Sequence, residues 1–341
     1  MGARTVRLGL IGCGAISRSH LRNLGATPGA EIAALVDVSD ENLARTVEAF
    51  PGLTNVPTYR DYRELLAGEP DLDGVLVLTP HALHYEQVRD ALEAGRHVLS
   101  EKPFVTRPEQ ARELIALARE RGRVLMLSYQ NALLWPYRYT RQAIEDGTLG
   151  EIVFCSGQIT QNWGRDVGGW RQTALGEGGF LIDTGSHFVD LLLYLTGMRP
   201  EAVCALIDDD GRALDIVTGA LIRFNGGRVA TLATAGVGPT LWSITIIGTG
   251  GTIELTDRDN IRHIGADNYA GWIGTERRNL VPPEGRRPET TTPDAEFVAA
   301  IQRDDLAASD AARGLTVALV TQAIYASASQ GGAPVPIPAL E

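Results

Sequence analysis

The first part of the chain alternates short apolar runs with segments of helical period. The apolar runs, which predict β-strands, are Val6–Ile11, Ile32–Val36, Gly74–Leu78, His97–Leu99 and Val124–Leu127. The helical segments that separate them lie near 15–24, 40–49, 60–67, 82–94 and 108–120. Strands that alternate with helices predict a parallel sheet with helices on both faces. We therefore expect residues 1–128 to form one doubly wound α/β domain.

The regular alternation of predicted strands and helices ends near Trp135. A predicted helix from Tyr137 to Asp146 leads into a strand from Glu151 to about Gln161, then a loop to Gly176 and a helix over about 179–195. After Pro200 the period is two, which predicts strands at Val203–Ile207, Val217–Phe224, Arg228–Ala235, Trp242–Ile247 and Thr252–Leu255, with a hairpin turn at Asn225-Gly226-Gly227. Residues 257–290 are expected to be loop, followed by helices that begin at Thr292 and Asp310.

This pattern predicts a second α/β domain over 129–341 with a large open, mostly antiparallel sheet. The alternative for the C-terminal helix is that it packs back on the first domain.

Composition narrows the class of partner. With 44% hydrophobic and 21% charged residues and a net charge of −11, the chain is an ordinary globular protein that lacks the basic surface nucleic acids and anionic membranes select. No segment approaches the roughly 20 apolar residues of a membrane helix. Cys13, Cys155 and Cys204 are far apart, without the spacing of a metal site. We expect a cytoplasmic protein without a metal site.

A glycine turn follows the first strand and opens the first helix. Gly12 allows the tight turn, and Gly14 lets the backbone N–H groups of Ala15 and Ile16 approach a pyrophosphate. Asp37 ends the second strand, 23 residues after Gly14, where a carboxylate accepts ribose hydroxyls and repels a 2′-phosphate. No Arg occupies 38–41, so NAD is favoured over NADP. The alternative is that Asp37 only caps a helix.

Lys102 is the single lysine of the chain, among 31 basic residues. It follows the fourth predicted strand, and ligands of such sheets bind at the carboxyl ends of strands. A lysine ammonium, unlike a guanidinium, can lose a proton. Thr79 and Pro80 end the preceding strand and are predicted to pass under the nicotinamide ribose. His81 and His84 begin the next helix, a role that is favoured over metal binding.

Several of these segments together resemble the glucose–fructose oxidoreductase, inositol dehydrogenase and rhizopine-catabolism (Gfo/Idh/MocA) family. The resemblance is carried by Gly12–Ser17, Thr79-Pro80 with His84, Glu101-Lys102-Pro103, and Gly178–Asp190 with its Asp-x-Gly-x-His pattern. Ser17 departs from the usual Gly or Ala. The resemblance implies a Rossmann domain, an α/β domain with an open sheet, dimers or tetramers formed through that sheet, and oxidation of a ring hydroxyl in sugars or cyclitols. It adds His84 and Glu101 to the expected cofactor-binding residues.

The chemistry expected of the second domain centres on Asp183 and His187. They are four apart on one helical stretch and so share a face, with Gly185 between them leaving room for a ligand. The resemblance implies that His187 is the general base, that Asp183 orients it or binds a hydroxyl, and that Lys102 holds the reacting oxygen. Which of Lys102 and His187 moves the proton stays open. The alternative for the pair is a capping acid and a core histidine.

The loop after residue 161 is a candidate wall for the substrate. Indole faces of Trp163 and Trp170 pack on sugar rings, and Arg165 bonds hydroxyls. It is equally possible that the tryptophans only anchor the loop. Tyr129 and Asn131 are also expected to face the substrate.

Three functions are compatible with these residues. The main hypothesis is an NAD-dependent dehydrogenase or reductase of a sugar or cyclitol. The alternatives are a glycosidase that uses NAD for a transient oxidation and a non-catalytic dinucleotide sensor. The intact set of Lys102, Asp183 and His187 argues against the sensor.

Overall fold

The computed structural model describes residues 4–163, 169–173, 176–209, 211–212, 214–265 and 280–339. The chain forms two compact units. Unit 1 comprises Met1–Tyr129 and Thr291–Leu315, and unit 2 comprises Gln130–Thr290 and Thr316–Glu341. The sequence predicted an uninterrupted second domain from residue 129. Residues 291–315 instead belong to unit 1, because the helix they contain buries its apolar side in the core of that unit.

Unit 1 is built on a parallel sheet. Its strands are β1 (Val6–Ile11), β2 (Ala30–Val36), β3 (Thr58–Tyr59), β4 (Gly74–Val77), β5 (His97–Ser100) and β6 (Leu125–Leu127). Within the described residues they are ordered β3-β2-β1-β4-β5-β6. The chain winds outward from β1 in both directions, so the switch point lies between β1 and β4, where doubly wound sheets bind ligands.

The helices of unit 1 are α1 (Ser17–Gly25), α2 (Asp40–Ala49), α3 (Tyr62–Gly68), α4 (His81–Glu93), α5 (Pro108–Arg121) and α8 (Pro293–Arg303). The strands are almost wholly apolar and buried, as strands covered on both faces must be. Helix α8 begins where the Thr292 hydroxyl accepts a hydrogen bond from the Ala295 N–H, as predicted. Its Phe297 and Ile301 are fully buried beside Leu8 and Leu99.

Unit 2 is built on a mixed sheet. Its strands are β7 (Ile152–Thr160), β8 (Pro200–Asp208), β9 (Val217–Phe224), β10 (Val229–Ala235), β11 (Leu241–Gly248), β12 (Gly251–Thr256), β13 (Asn260–Gly265) and β14 (Val335–Pro336). The described strands are ordered β13-β12-β11-β7-β10-β9-β8-β14. Neighbours are antiparallel except β7 and β10, so the predicted open, mostly antiparallel sheet is confirmed.

One face of this sheet carries the helical segment of the candidate site. Unit 2 contains α6 (Trp135–Glu145), α7 (Ser186–Thr196) and most of α9 (Ala311–Ser329). Phe188 of α7 packs directly on β7 at Gly157, where an added Cβ would come within 1.9 Å of the Phe188 ring. Any larger residue at Gly157 would therefore push α7 away from the sheet.

Two predictions about elements were wrong. Residues 257–290 were expected to be loop, but β13 pairs with β12 because Ile261 and His263 alternate with polar residues and His263 is buried. The helix expected over 179–195 begins instead with a π-helical turn at Leu181–Gly185, which continues into α7. We call this segment the π-turn. The two-residue strands β3 and β14 were also not predicted, since their length carries no period.

The described helices include none long and apolar enough to cross a membrane. The same residues hold no cluster of three His, Cys, Asp or Glu side chains arranged to bind a metal ion.

Candidate active site

The glycine turn of unit 1 is constrained by the strands around it. Gly12 has φ +102°, and a Cβ there would lie 2.8 Å from the Leu78 carbonyl oxygen, so glycine is required. Its N–H donates to the Val36 carbonyl oxygen at 2.8 Å. A Cβ on Gly14, by contrast, would have no described protein atom within 4 Å. The turn is therefore closed at Gly12 and open at Gly14, as a phosphate-binding turn must be.

Ser17 fits the third position of the motif. It is fully buried, and its hydroxyl donates to the Gly14 carbonyl oxygen at 2.6 Å. The side chain is small enough for α1 to begin there, and its hydrogen bond fixes the turn. The neighbouring Cys13 thiol is buried, and burial together with the Asp37 charge raises its pKa to about 12. This thiol is therefore structural.

Asp37 closes the turn from the end of β2. One carboxylate oxygen accepts the Cys13 N–H at 2.8 Å, and the other accepts the Ser39 N–H at 2.8 Å. The N-cap of α2 is Ser39, so the alternative that Asp37 caps this helix is wrong. Asp37 remains half-buried, and its oxygens retain lone pairs for a ribose.

Arg60 is a residue near this position that the sequence reasoning missed. It follows β3, and its guanidinium donates to the Val38 carbonyl oxygen and pairs with Asp40. The prediction of NAD over NADP considered only residues 38–41, which contain no Arg. The adjacency of β2 and β3 brings an arginine from 23 residues beyond Asp37 to the same loop.

Thr79 and Pro80 follow β4 at the carboxyl edge of the sheet. The Thr79 hydroxyl donates to Gln87 Oε1 at 2.5 Å. His84 has no exposed surface, and its nitrogens lie 2.9 Å from the Pro103 carbonyl oxygen and 2.8 Å from the Thr79 carbonyl oxygen. Burial lowers the pKa of His84 to about 4, so the ring is neutral and donates to only one of these two carbonyl oxygens. Both ring nitrogens face these protein carbonyl oxygens, so the structure shows His84 joining the two loops rather than presenting a free polar atom to a cofactor.

Glu101 and Lys102 follow β5, joined to Pro103 by a cis peptide bond at Lys102–Pro103. Glu101 Oε2 accepts the Lys102 backbone N–H at 3.1 Å. Glu101 Oε1 lies 3.0 Å from His20 Nε2, and the opposite nitrogen of the His20 ring lies 2.6 Å from Asp294 Oδ1. Sequence reasoning missed His20 and Asp294, because 274 residues separate them.

In unit 2, Asp183 lies in the π-turn and His187 in the first turn of α7, and both are buried. Asp183 Oδ2 accepts from Arg171 Nε at 3.1 Å. The Arg171 guanidinium lies 4.6 Å from the ring centroid of Trp170 and 5.8 Å from that of Trp163. The His187 ring meets Trp242 edge-on, 6.0 Å between centroids. Asp183 therefore has a charge partner that the sequence reasoning did not name.

Gly185 does not leave room for a ligand, contrary to prediction. A Cβ there would lie 2.9 Å from Leu181 Cδ1 and 3.2 Å from Thr234 Cγ2. Glycine is needed at this position because the π-turn packs closely on its own Leu181 and on β10.

Asp215 holds the start of the π-turn. Its Oδ2 accepts the Leu181 N–H at 2.7 Å, its Oδ1 accepts the Tyr325 hydroxyl at 2.5 Å, and its carbonyl oxygen accepts the Phe180 N–H at 3.1 Å. Burial, followed by the charge of Asp215, raises the pKa of Tyr325, so the phenol stays protonated as the donor.

The predicted substrate wall is only partly described. Arg165 lies outside the described residues. Trp163 packs edge-on against buried Phe180, with 5.2 Å between centroids, so it serves as an anchor for the loop. Tyr129 in unit 1 is buried, as is Asn131 in unit 2. Neither polar atom of the Asn131 amide has a hydrogen-bond partner among the described residues, although the residue is only 1% exposed.

Comparison with known proteins defines the class. Residues 6–129 match the model of an oxidoreductase family with an NAD-binding Rossmann fold, and residues 137–254 match the GFO/IDH/MocA C-terminal domain. The chain belongs to the Gfo/Idh/MocA family of oxidoreductases.

Three individual relatives are likewise reductases or dehydrogenases. A 1,5-anhydro-D-fructose reductase from Ensifer adhaerens is 30% identical over 66% of this chain and 67% of its own. A dTDP-3,4-didehydro-2,6-dideoxy-alpha-D-glucose 3-reductase from Actinomadura kijaniata is 34% identical over 67% and 68%. The WlbA dehydrogenase of Bordetella pertussis, solved with NADH and UDP-GlcNAcA, aligns over 98% of this chain and 100% of its own, with a TM-score of 0.82 and 26% identity.

The prediction of NAD as the cofactor is confirmed by the family and by this NADH complex. The chain is an NAD-binding oxidoreductase of the dehydrogenase and reductase class.

Proposed function

We propose that this protein moves a hydride between NAD and a ring hydroxyl or ketone of a sugar or cyclitol. The observation that carries the proposal is the position of the single lysine. In unit 1, Lys102 follows β5, the glycine turn follows β1, and β4 lies between these strands. Lysine and glycine turn therefore share the carboxyl edge of one sheet, where doubly wound folds bind dinucleotides.

The residues of this edge fit NAD. The open space at Gly14, the N–H groups of Ala15 and Ile16, and the half-buried Asp37 carboxylate would hold the pyrophosphate and the adenosine ribose. Thr79 and Pro80 would face the nicotinamide ribose. When bound, NAD supplies the hydride acceptor or donor.

The chain itself supplies the groups that handle the hydroxyl. Lys102 would hold the reacting oxygen and stabilise the negative charge that develops on it. His187 would accept the hydroxyl proton during oxidation and return it during reduction. Asp183, fixed by Arg171, would orient His187 or bind a neighbouring hydroxyl.

A polar ring substrate is supported by Asn131. A buried amide without a hydrogen-bond partner is costly, by about 1–3 kcal/mol, unless a ligand bonds to it. The half-buried indole of Trp170, stiffened by Arg171, offers an apolar face to the C–H groups of a ring. The relatives from Ensifer adhaerens and Actinomadura kijaniata described above are both sugar reductases.

We also propose that the partner is a second copy of the chain, bound through the open face of the unit 2 sheet. Leu206 is 65% exposed and Leu221 45% exposed on the neighbouring strands β8 and β9. Ser156, Thr231 and Thr245 continue this flat surface of small side chains.

We also propose a cytoplasmic location, supported by the absence of disulfides among the described cysteines.

The experiment is a panel of cyclitols, aldoses, sugar acids and nucleotide sugars with NAD, and of the matching ketones with NADH, followed by the absorbance of NADH. We expect turnover of at least one ring compound. Lys102→Met and His187→Asn should remove turnover while NADH binding, measured by fluorescence titration, stays within about twofold. Undiminished turnover in both variants would contradict the assigned roles. A blank panel from protein that binds NADH would contradict the function.

A further inference from the structure

A row of buried charged side chains connects α1, α8 and the residue that follows β5 in unit 1. His20 on α1 is 3% exposed, and its ring is held at both nitrogens by carboxylates, Asp294 of α8 at 2.6 Å and Glu101 at 3.0 Å. Asp294 is fully buried and receives a second hydrogen bond from Asn23 Nδ2 at 2.7 Å. A ring protonated at both nitrogens donates to both carboxylates at once, which a neutral ring cannot, so this geometry favours an imidazolium.

The charges agree with this geometry. Burial alone would lower the pKa of His20, but the bonds to Asp294 and Glu101 outweigh it and raise the pKa to about 10. Burial would raise the pKa of Glu101, but the bond to His20 and the charge of Lys102 lower it to about 2. His20 is therefore an imidazolium and Glu101 a carboxylate throughout the neutral range of pH.

The row ends at the lysine. Glu101 Oε1 faces His20, and Glu101 Oε2 accepts the Lys102 backbone N–H. Rotation of the Glu101 side chain would therefore break both bonds. Helix α8, whose Asp294 holds the opposite side of His20, is itself fixed in the core through Phe297 and Ile301.

We propose that His20 is a positioning residue for Lys102: as an imidazolium clamped by Asp294, it fixes Glu101 and so fixes the backbone from which Lys102 projects. The part of this proposal that concerns turnover rests on the proposed function. His20 does not need to touch the substrate or cofactor for this role. Its loss would leave two buried carboxylates without their shared cation, and Glu101 would move or take up a proton.

The single lysine allows a direct test. Protein grown with [15N]lysine gives one backbone amide signal, that of Lys102, whose N–H bonds to Glu101. We expect His20→Gln and Glu101→Gln each to move this signal, and the double variant to resemble Glu101→Gln alone. The matched control is His97→Gln, since His97 is 7% exposed in the same unit and its Nδ1 accepts the Val124 N–H, away from Glu101. If His20→Gln does not fold, Asp294→Asn tests the same clamp.

Turnover provides the second readout. His20→Gln should lower kcat by about 10–100-fold with the dissociation constant of NADH changed much less, as expected when a reacting group is slightly displaced. Effects of His20→Gln and Glu101→Gln on kcat should not multiply, because both act through one bond. An unmoved Lys102 signal in folded His20→Gln, or an equal movement in His97→Gln, would overturn the proposal. If wild-type protein turns over no sugar, the proposed function fails, while the amide signal still decides the clamp.

Discussion

Arg171 contacts the buried carboxylate of Asp183, a role that the residue pattern of the sequence does not indicate. Its side chain is 35% exposed, but the Asp183 side chain that it contacts is only 5% exposed. A buried carboxylate depends on such a partner, because its charge is otherwise poorly solvated. Stacking on Trp170 holds the guanidinium in place.

Replacement of Arg171 should therefore impair catalysis more than folding. We expect Arg171→Met to lower kcat/KM by about 10–100-fold, with NADH affinity unchanged, and Arg171→Lys to recover part of the loss. Arg141→Met is the matched control. Like Arg171, Arg141 stacks on an aromatic ring, that of Tyr194, and pairs with a carboxylate, that of Glu145. Equal losses in the Arg171→Met and Arg141→Met variants would contradict a specific role for Arg171.

His20 also predicts a pH dependence of stability, set by the groups that face it, Asp294 and Glu101. Its pKa is higher in the folded protein, about 10 against 6.5, so its stabilisation is complete below pH 6.5 and is lost as the pH rises toward 10. The free energy of unfolding, measured by urea titration, should fall by roughly 2–4 kcal/mol more in wild type than in His20→Gln over this range.

His97 gives the opposite sign and serves as control. Burial, then the charge of Arg123, lowers its pKa to about 4, so its contribution is present above pH 6.5 and is lost as the pH falls toward 4. His97→Gln should therefore keep the alkaline loss of wild type. A His20→Gln curve parallel to wild type between pH 6.5 and 10 would show that the ring is not an imidazolium.

Among the elements, the π-turn depends on a residue outside it. Asp215 accepts N–H groups at the start of this turn and the Tyr325 hydroxyl, so one carboxylate ties the turn to α9. The turn and the first residues of α7 carry Asp183 and His187, whose positions therefore depend on this contact.

We expect Asp215→Ala to leave the buried Leu181 N–H without an acceptor and to lower the free energy of unfolding by about 1–3 kcal/mol. Tyr325→Phe should cost less, since the carboxylate keeps its backbone donor, the Leu181 N–H. Chemical denaturation measures both, with NADH titration showing that unit 1 stays intact. A denaturation midpoint of Asp215→Ala equal to that of wild type would contradict this account of the π-turn.

Elements with a regular period could be predicted from the sequence. The bounds of β1 and β9 agree with the prediction, and Asn225-Gly226-Gly227 does form the hairpin between β9 and β10. Strand β13 was missed because Asp257, Arg258, Asp259 and Asn260 indicate loop. The first three of them form a turn, and the strand already begins at Asn260. The π-turn has the composition of an ordinary helix, so no periodic signal marks it.

The residues of the candidate site were also predicted where the sequence carries a local signal and missed where it does not. Gly12, Asp37 and Lys102 were found because motif spacing along the chain identifies them. Arg60, His20 and Asp294 were missed, as was the pairing of Arg171 with Asp183, because only the folded chain shows which charged partner each residue meets.

For the whole molecule, the proposed self-association makes the open face of the unit 2 sheet an interface. Leu206→Arg with Leu221→Arg would place two charges on it, which a buried apolar contact does not tolerate. Light scattering after gel filtration should then give the monomer mass of 36.6 kDa, where wild type gives a multiple of it. The control is Arg45→Ala, since Arg45 lies on an exposed part of α2 in unit 1. A monomeric wild type would contradict the interface.

In the proposed function, the protein transfers a hydride between a ring carbon and NAD, with Lys102 at the reacting oxygen. The most direct measurement uses the sugar found in the panel with deuterium on the carbon that is oxidised, and mass spectrometry of the cofactor after turnover. We expect one deuterium in each NADH released by wild type, and none from Lys102→Met, which should still bind the cofactor. Product formation by wild type with no labelled NADH, together with hydrolysis of a glycoside, would contradict it and indicate a transient oxidation without net transfer.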